Sequence, residues 1–278
     1  HQFEKNFIDK AEKVLNENGL TVDEFDQFLK AKAGPARNQM IAERTDGKNL
    51  TGSGQSDTYW NNILAAYRKQ GKYEKLNEAA EHVWALNRAV LDMKVESGLM
   101  SKAQADVWKT KSPFYVPLRS DDTEADYKEL EKRASFSLKR KESKSATGHA
   151  EGHEADIPFA FSVLQALEAV GRANKNKVYE TAAKLIEQNP SDLWHIEKRI
   201  PTKQAYDSES GKVISVPDAQ FEDAPNVVIV KRDGKEVTLR DARRVWYWKG
   251  ANTLNELVAN GPGAGSKISE PTAKILLT

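Results

Sequence analysis

The chain contains no cysteine among its 278 residues, which removes disulfides, thiolate zinc sites and cysteine nucleophiles from consideration. It does not identify a compartment. An excess of either charge is also missing, because 42 Lys and Arg stand against 41 Asp and Glu for a formal net of +1. No global field therefore draws in a polyanion, and any nucleic-acid contact has to come from a local patch. No apolar run approaches the roughly 18 residues of a membrane-spanning helix, and none has the form of a signal-peptide core.

What remains is a polar chain with 39% apolar and 30% charged residues. At this length it can bury a sizeable core and hold two domains. The chain begins with His1 and enters helix-like sequence at once, as expected of a piece of a longer polypeptide.

Helical spacing opens the sequence. Phe3, Phe7, Ala11, Val14 and Leu15 share one face, and Gly19 is a stop. Thr21 with Glu24 three residues later is a capping box for a second helix, whose stripe is Phe25, Phe28 and Leu29. Residues Gly34 to Gly54 are expected to mix a short helical piece with a glycine-rich connection. That loop lacks both the lysine ending of a P-loop and a preceding strand, so phosphate cradling by Gly52 and Gly54 is not the preferred reading.

Asp57 can cap a helix carrying Trp60, Ile63, Leu64 and Tyr67. The strongest periodic segment runs from Tyr73 to Glu96, with Leu76, Val83, Trp84, Leu86 and Val90 on a broad face. At about 1.5 Å per residue it forms a spine of roughly 35 Å. Ser101 then caps a short helix from Lys102, and Pro113 and Pro117 fix an extended path around Phe114 and Tyr115. This peptide reads as a packing anchor, with Trp84, Phe114, Tyr115, Pro117 and Arg119 as its assembly residues.

An acidic helix is expected over Asp121 to Arg133, and a polar linker over Phe136 to Asp156 that buries too little to repay its own ordering. Helical spacing resumes from Pro158 to Gln188, and Ser191 can start a short turn toward Trp194 and Ile196. Val227 to Leu239 alternates with period two around Asp233-Gly234, a hairpin signature. Val245 to Trp248 can add a strand and Leu254 to Ala259 a short helix, before a tail that leaves the domain.

Candidate chemistry is sparse. His149 and His153 in HAEGHE are the only metal-capable histidine pair. Ala150 stands where the zincin motif needs its glutamate, and Gly148 and Gly152 weaken any helix, so a polar linker is the default. His82 and His195 have ordinary explanations. No pair of carboxylates is placed by sequence proximity alone across a sugar cleft. Lys139, Arg140, Lys141 and Lys144 form the best polyanion patch, able to neutralise phosphates without reading bases. Arg240, Arg243 and Arg244 beside Trp246 and Tyr247 form a second basic group. No cofactor is implied.

The ordered series PARNQMIAERT, the GSG loop, the stretch from GKYEKLNEAAEH to ESGLMS, and SPFYVPLR resembles a region of the very large polyvalent proteins of phages and integrated mobile elements. GRANKNKVYETAAKLIEQNP, WHIEKRIPTK and NVVIVKRDGKEVTL are similar to its continuation. Pro35, Arg37 and Asn38 match one motif, although Gly34 and Ala36 replace some of its usual polar features. Tyr115, Pro117, Leu118 and Arg119 match the closing motif, and Arg172, Asn174 and Asn176 match polar helix positions. The resemblance implies no transferable catalytic role. It implies an internal virion or DNA-ejection protein, carried in the virion interior and delivered to the host cell envelope or cytoplasm.

The expectation is a mainly α multi-helix scaffold with a small C-terminal region containing a β-hairpin. Its parts are a helical domain over 1–135, a polar basic linker over 136–157, and a helical segment with a β-containing region over 158–278. The expected role is a non-enzymatic structural segment that assembles with other modules of the same polypeptide, other virion proteins or further copies as a homo-oligomer. Non-specific contact with double-stranded DNA accompanies it, without a membrane span. The alternative is an accessory domain of a larger phage polymerase, nuclease or peptidoglycan-degrading enzyme whose catalytic residues lie outside the fragment.

Overall fold

A computed structural model describes residues 4–119, 138, 148–153, 155, 157–189, 194–197, 202–207, 212–217 and 227–241. The fold is mainly helical with a small C-terminal antiparallel β region. It divides into two compact units. The first comprises 1–94, 102–134 and 143–170; the second comprises 95–101, 135–142 and 171–278. The expected acidic helix, the strand over Val245 to Trp248, the helix over Leu254 to Ala259 and the tail lie outside the described residues.

In the first unit, a π-helical turn over Glu4–Ile8 leads into α1 (Asp9–Glu17). The capping box then forms as the sequence indicates. Glu24 N–H donates to Thr21 Oγ1 at 3.2 Å, and Thr21 N–H donates to Glu24 Oε2 at 3.1 Å, opening α2 (Val22–Arg44). Lys72 pairs with the same Glu24 carboxylate and, first among the causes, holds it below the usual carboxylate range.

The short helical piece expected within Gly34 to Gly54 is the continuation of α2, which runs on through Pro35 to Arg44. A residue before proline normally avoids the α region because its Cβ and N–H meet the proline ring. Gly34 has no Cβ, so part of that clash is missing. Burial of Phe28, Leu29, Ala31, Ala33 and Ile41 along the helix outweighs the single backbone hydrogen bond that Pro35 forgoes.

Ser56, not Asp57, caps α3 (Asp57–Lys69), accepting from Tyr59 N–H at 3.2 Å. Then α4 spans Tyr73–Glu96, the full extent of the predicted spine. A short α5 (Lys102–Lys111) precedes the proline-bounded strap, and α6 covers Pro158–Gln188. Proline suits the first position of α6, where its missing N–H would have no partner within the helix.

The main core of this unit joins Phe25, Phe28 and Leu29 of α2, Trp60 and Tyr67 of α3, Leu76, Val83 and Trp84 of α4, and Phe159 of α6. Its rings meet edge to face, Phe28 with Tyr73 at 5.4 Å and Phe25 with Phe159 at 5.4 Å. Such pairs contribute about 1 kcal/mol each beyond their burial. A satellite cluster holds Leu86 and Val90 of α4 against Ala166 and Ala169 of α6.

In the second unit, the part of α6 from Gly171 onward accompanies five strands. These are β1 (Trp194–Ile196), β2 (Thr202–Asp207), β3 (Lys212–Pro217), β4 (Val227–Arg232) and β5 (Lys235–Asp241). One antiparallel sheet has the order β1-β5-β4, and β2 with β3 makes a separate two-stranded sheet. Asp233 and Gly234, with φ of 51° and 76°, form the two-residue turn between β4 and β5. Both positive values are what the twist of a tight hairpin demands.

β1 sits where the sequence suggested only a turn. The β2–β3 hairpin was not anticipated at all. Eight of the ten strand residues whose side chains are described are exposed, so no buried stripe marks them, and the Ser210-Gly211 pair is a weak turn signal.

Candidate functional site

The strap from Ser112 to Arg119 is the place in the first unit where aromatic and polar groups converge. Ser112 N–H closes α5 on Trp108 O at 3.0 Å, and Tyr115 N–H turns back onto Ser112 O at 3.1 Å. Pro113 and Phe114 therefore occupy a tight turn rather than the extended path expected around Phe114, and the chain leaves it toward Pro117 from Tyr115 onward. Val116, Pro117 and Leu118 are buried, while Phe114 stays at the surface.

The sequence-nominated residues meet here in pairs. Phe114 packs on Trp84 at 4.8 Å between ring centroids, and Lys32 Nζ sits 4.3 Å from the Phe114 ring and 5.4 Å from that of Trp84. A partly buried ammonium over two rings adds a cation–π attraction on the order of 1 kcal/mol. Tyr115 meets Trp108 edge to face at 5.3 Å, and its hydroxyl contacts Gln165 Oε1 at 3.4 Å. Burial raises the Tyr115 phenol above its ordinary value, partly offset by the Gln165 contact and by the charges of Arg119 and Arg37. Arg119 lies 5.4 Å from the Phe161 ring.

Two further side chains hold the strap backbone: Asn87, which carries no expectation from the sequence, and His149, expected only as a candidate metal ligand. Asn87 of α4 donates through Nδ2 to Tyr115 O at 2.8 Å, and His149 Nε2 stands 3.2 Å from Leu118 O. A carbonyl can only accept, so that ring nitrogen carries the proton. The signal for Asn87 is a polar residue among the apolar positions Val83, Leu86 and Val90.

Between α2 and the strap lies a shallow groove of about 420 Å³, its open mouth included, walled chiefly by Ala36, Arg37, Met40, Trp108, Tyr115 and Leu118. Desolvation lowers the affinity of the Arg37 guanidinium for its proton. The walls are apolar apart from this cation, Ser112 and the tyrosine.

The glycine-rich loop after α2 is tied down rather than open to a phosphate. Asn38 accepts from Ser53 N–H at 2.7 Å and donates through Nδ2 to Gln55 O at 2.9 Å and Asp57 Oδ1 at 2.7 Å. Trp60 Nε1 donates to Ser53 Oγ at 2.8 Å, and Gly54 N–H bonds Thr51 O. From the stretch read as a polar connection, His149 N–H and Gly152 N–H bond Gly52 O and Gly54 O.

The two candidate metal ligands differ in setting. His149 is buried and engaged with Leu118, whereas His153 is exposed. Among the described residues no group of three His, Asp or Glu side chains is placed to hold a metal. Lys139, Arg140, Lys141, Lys144, Arg243 and Arg244 lie outside the described residues. Arg240 occupies β5, in register with Val227 and His195.

In the second unit, Asn176 of α6 is fully buried and acts as a substitute strand. Its Oδ1 accepts from Lys231 N–H at 2.7 Å, and its Nδ2 donates to Lys231 O and Ser97 O, both at 2.7 Å. Arg232 and Lys235 flank the tight turn, so the main-chain groups of Lys231 face away from β5. The Asn176 amide completes that outer edge of β4. Gly98, at φ 76°, makes room for the arrangement, since a Cβ there would lie 2.8 Å from Lys231 O. Arg232 locks the turn by binding Glu187 through both Nη atoms, at 2.6 and 2.9 Å, and Glu180 through Nε at 2.7 Å. Those bonds to Arg232 hold the Glu187 carboxyl below its usual range.

A family model described as a domain of unknown function, DUF6948, matches residues 227–278, which start with the β4–β5 hairpin. The chain has no match among curated proteins or solved structures.

Proposed function

We propose that this chain is a non-enzymatic structural segment of a phage internal virion or genome-ejection protein, a framework to which neighbouring modules or further copies attach. The resemblance of its motif series to polyvalent phage proteins suggests the setting. The observation that carries the structural half is the use made of buried polar side chains. Asn38, Asn87, His149 and Asn176 each pair with backbone groups of segments distant in sequence. Groups so occupied hold chain segments in register.

Attachment needs exposed apolar surface, and the β2–β3 hairpin supplies some. Tyr206, 71% exposed, lies directly opposite Val213, 66% exposed. A two-stranded sheet has marginal stability in water and gains from a covering surface. Sedimentation velocity over a concentration series tests the reading. The chain is expected to associate with itself or with the adjoining parts of its parent polypeptide. Replacing Tyr206 and Val213 together by serine should weaken that association about tenfold or more while leaving the thermal midpoint unchanged. Monomers at every concentration, alone and in the mixture, would overturn it.

A further inference from the structure

Small residues keep the groove between α2 and the strap open. Ala33 and Ala36 line it from α2 together with Arg37 and Met40, at the i, i+3, i+4 and i+7 spacing of one helix face. Across from them stand Trp108 and Tyr115, whose rings hold each other edge to face at 5.3 Å and so do not fill the space that the alanines leave. Phe114, 36% exposed, also borders it.

Among the described residues that line the groove, Arg37 is the sole charged side chain. More positive charge stands close by, because Arg44 acts on Arg37 itself and Arg119 acts with Arg37 on the Tyr115 phenol. Partial burial, first, and then Arg44 disfavour the Arg37 charge. An anion brought into the groove offsets both effects.

A nucleic-acid backbone is held by several cations that follow its phosphates. One cation between apolar walls instead suits one carboxylate beside an apolar group. We propose that this groove docks a protein segment carrying a large apolar side chain next to an aspartate or glutamate, with the apolar group against Ala36, Met40 and Trp108 and the carboxylate on Arg37. Such docking involves the first unit alone and is independent of association through the β2–β3 hairpin. A groove of this size takes one side chain, so a short peptide binds weakly. The carboxylate supplies the selectivity, since a charge-assisted hydrogen bond is about twice as strong as a neutral one.

The experiment titrates the whole chain with acetyl-Leu-Glu-Leu-amide and with acetyl-Leu-Gln-Leu-amide, following the Trp108 indole N–H and the Met40 methyl by NMR, in wild type and in Arg37→Gln. The glutamate peptide is expected to shift both signals saturably, and the glutamine peptide to bind about tenfold more weakly. In Arg37→Gln the two peptides should bind alike. Equal affinity of the two peptides for the wild type, or no saturable shift with either, would overturn the proposal, as would a glutamate preference that survives Arg37→Gln. A duplex oligonucleotide that moves the same two signals at lower concentration than the glutamate peptide would overturn it too, by making the groove part of a phosphate-binding face. Should Arg37→Gln fail to fold, the comparison of the two peptides on the wild type decides by itself.

Discussion

Replacing Asn176 with alanine is expected to destabilise the second unit by about 4 kcal/mol, because each buried backbone group left without a partner costs about 1–3 kcal/mol. Three such groups are released together, the Lys231 N–H, the Lys231 C=O and the Ser97 C=O. A leucine of similar volume should not rescue the loss, since the defect is polar. Aspartate should be at least as harmful, as it loses both donors and buries a charge. Urea unfolding followed by a probe in the second unit measures the effect. A loss below about 1 kcal/mol would mean that the β4 edge is satisfied by other means.

Gly34→Ala should reverse the usual sign of a helical glycine substitution. In a helix interior, alanine is ordinarily better than glycine by about 1 kcal/mol. At Gly34 the added methyl would overlap the indole of Trp60, which is 1% exposed and fixed through Nε1 to Ser53. Overpacking against so constrained a ring is expected to cost about 3 kcal/mol. Pairing Gly34→Ala with Trp60→Leu should remove much of that penalty, although Trp60→Leu is itself destabilising. The double-mutant cycle is therefore expected to be strongly non-additive. Additive effects would place the cost in the backbone next to Pro35 instead.

These two positions show why parts of the architecture were readable from sequence and parts were not. The spine over Tyr73–Glu96 was legible because its apolar residues repeat at helical spacing over 24 residues, and no competing pattern existed. The capping box at Thr21 and the turn at Asp233-Gly234 were legible because they follow from local stereochemistry. The Gly34-Pro35 pair shows the limit of such local stereochemistry. Its local preference is to break a helix, and only the surrounding burial of α2 overrides it.

The β2–β3 hairpin escaped notice because both its faces meet solvent, leaving no alternation to read. Polar clamps are harder still. Asn38 and Asn176 appeared as polar residues in matched motifs, but their partners are a loop 15 residues away and a strand 55 residues away. Only the folded chain shows that their amides replace backbone partners. Asn87 carried a fainter mark, a polar residue inside an apolar stripe.

The central claim is that buried side-chain amides stand in for backbone partners where distant segments meet. Native-state hydrogen exchange at the amides of Ser53 and Lys231 tests it most directly, since these donate to Asn38 Oδ1 and Asn176 Oδ1. Both should exchange as slowly as mid-helix amides of α4, and Asn176→Ala should release Lys231 while leaving Ser53 protected. Exchange of either amide in the wild type at the rate of an open chain would contradict the account.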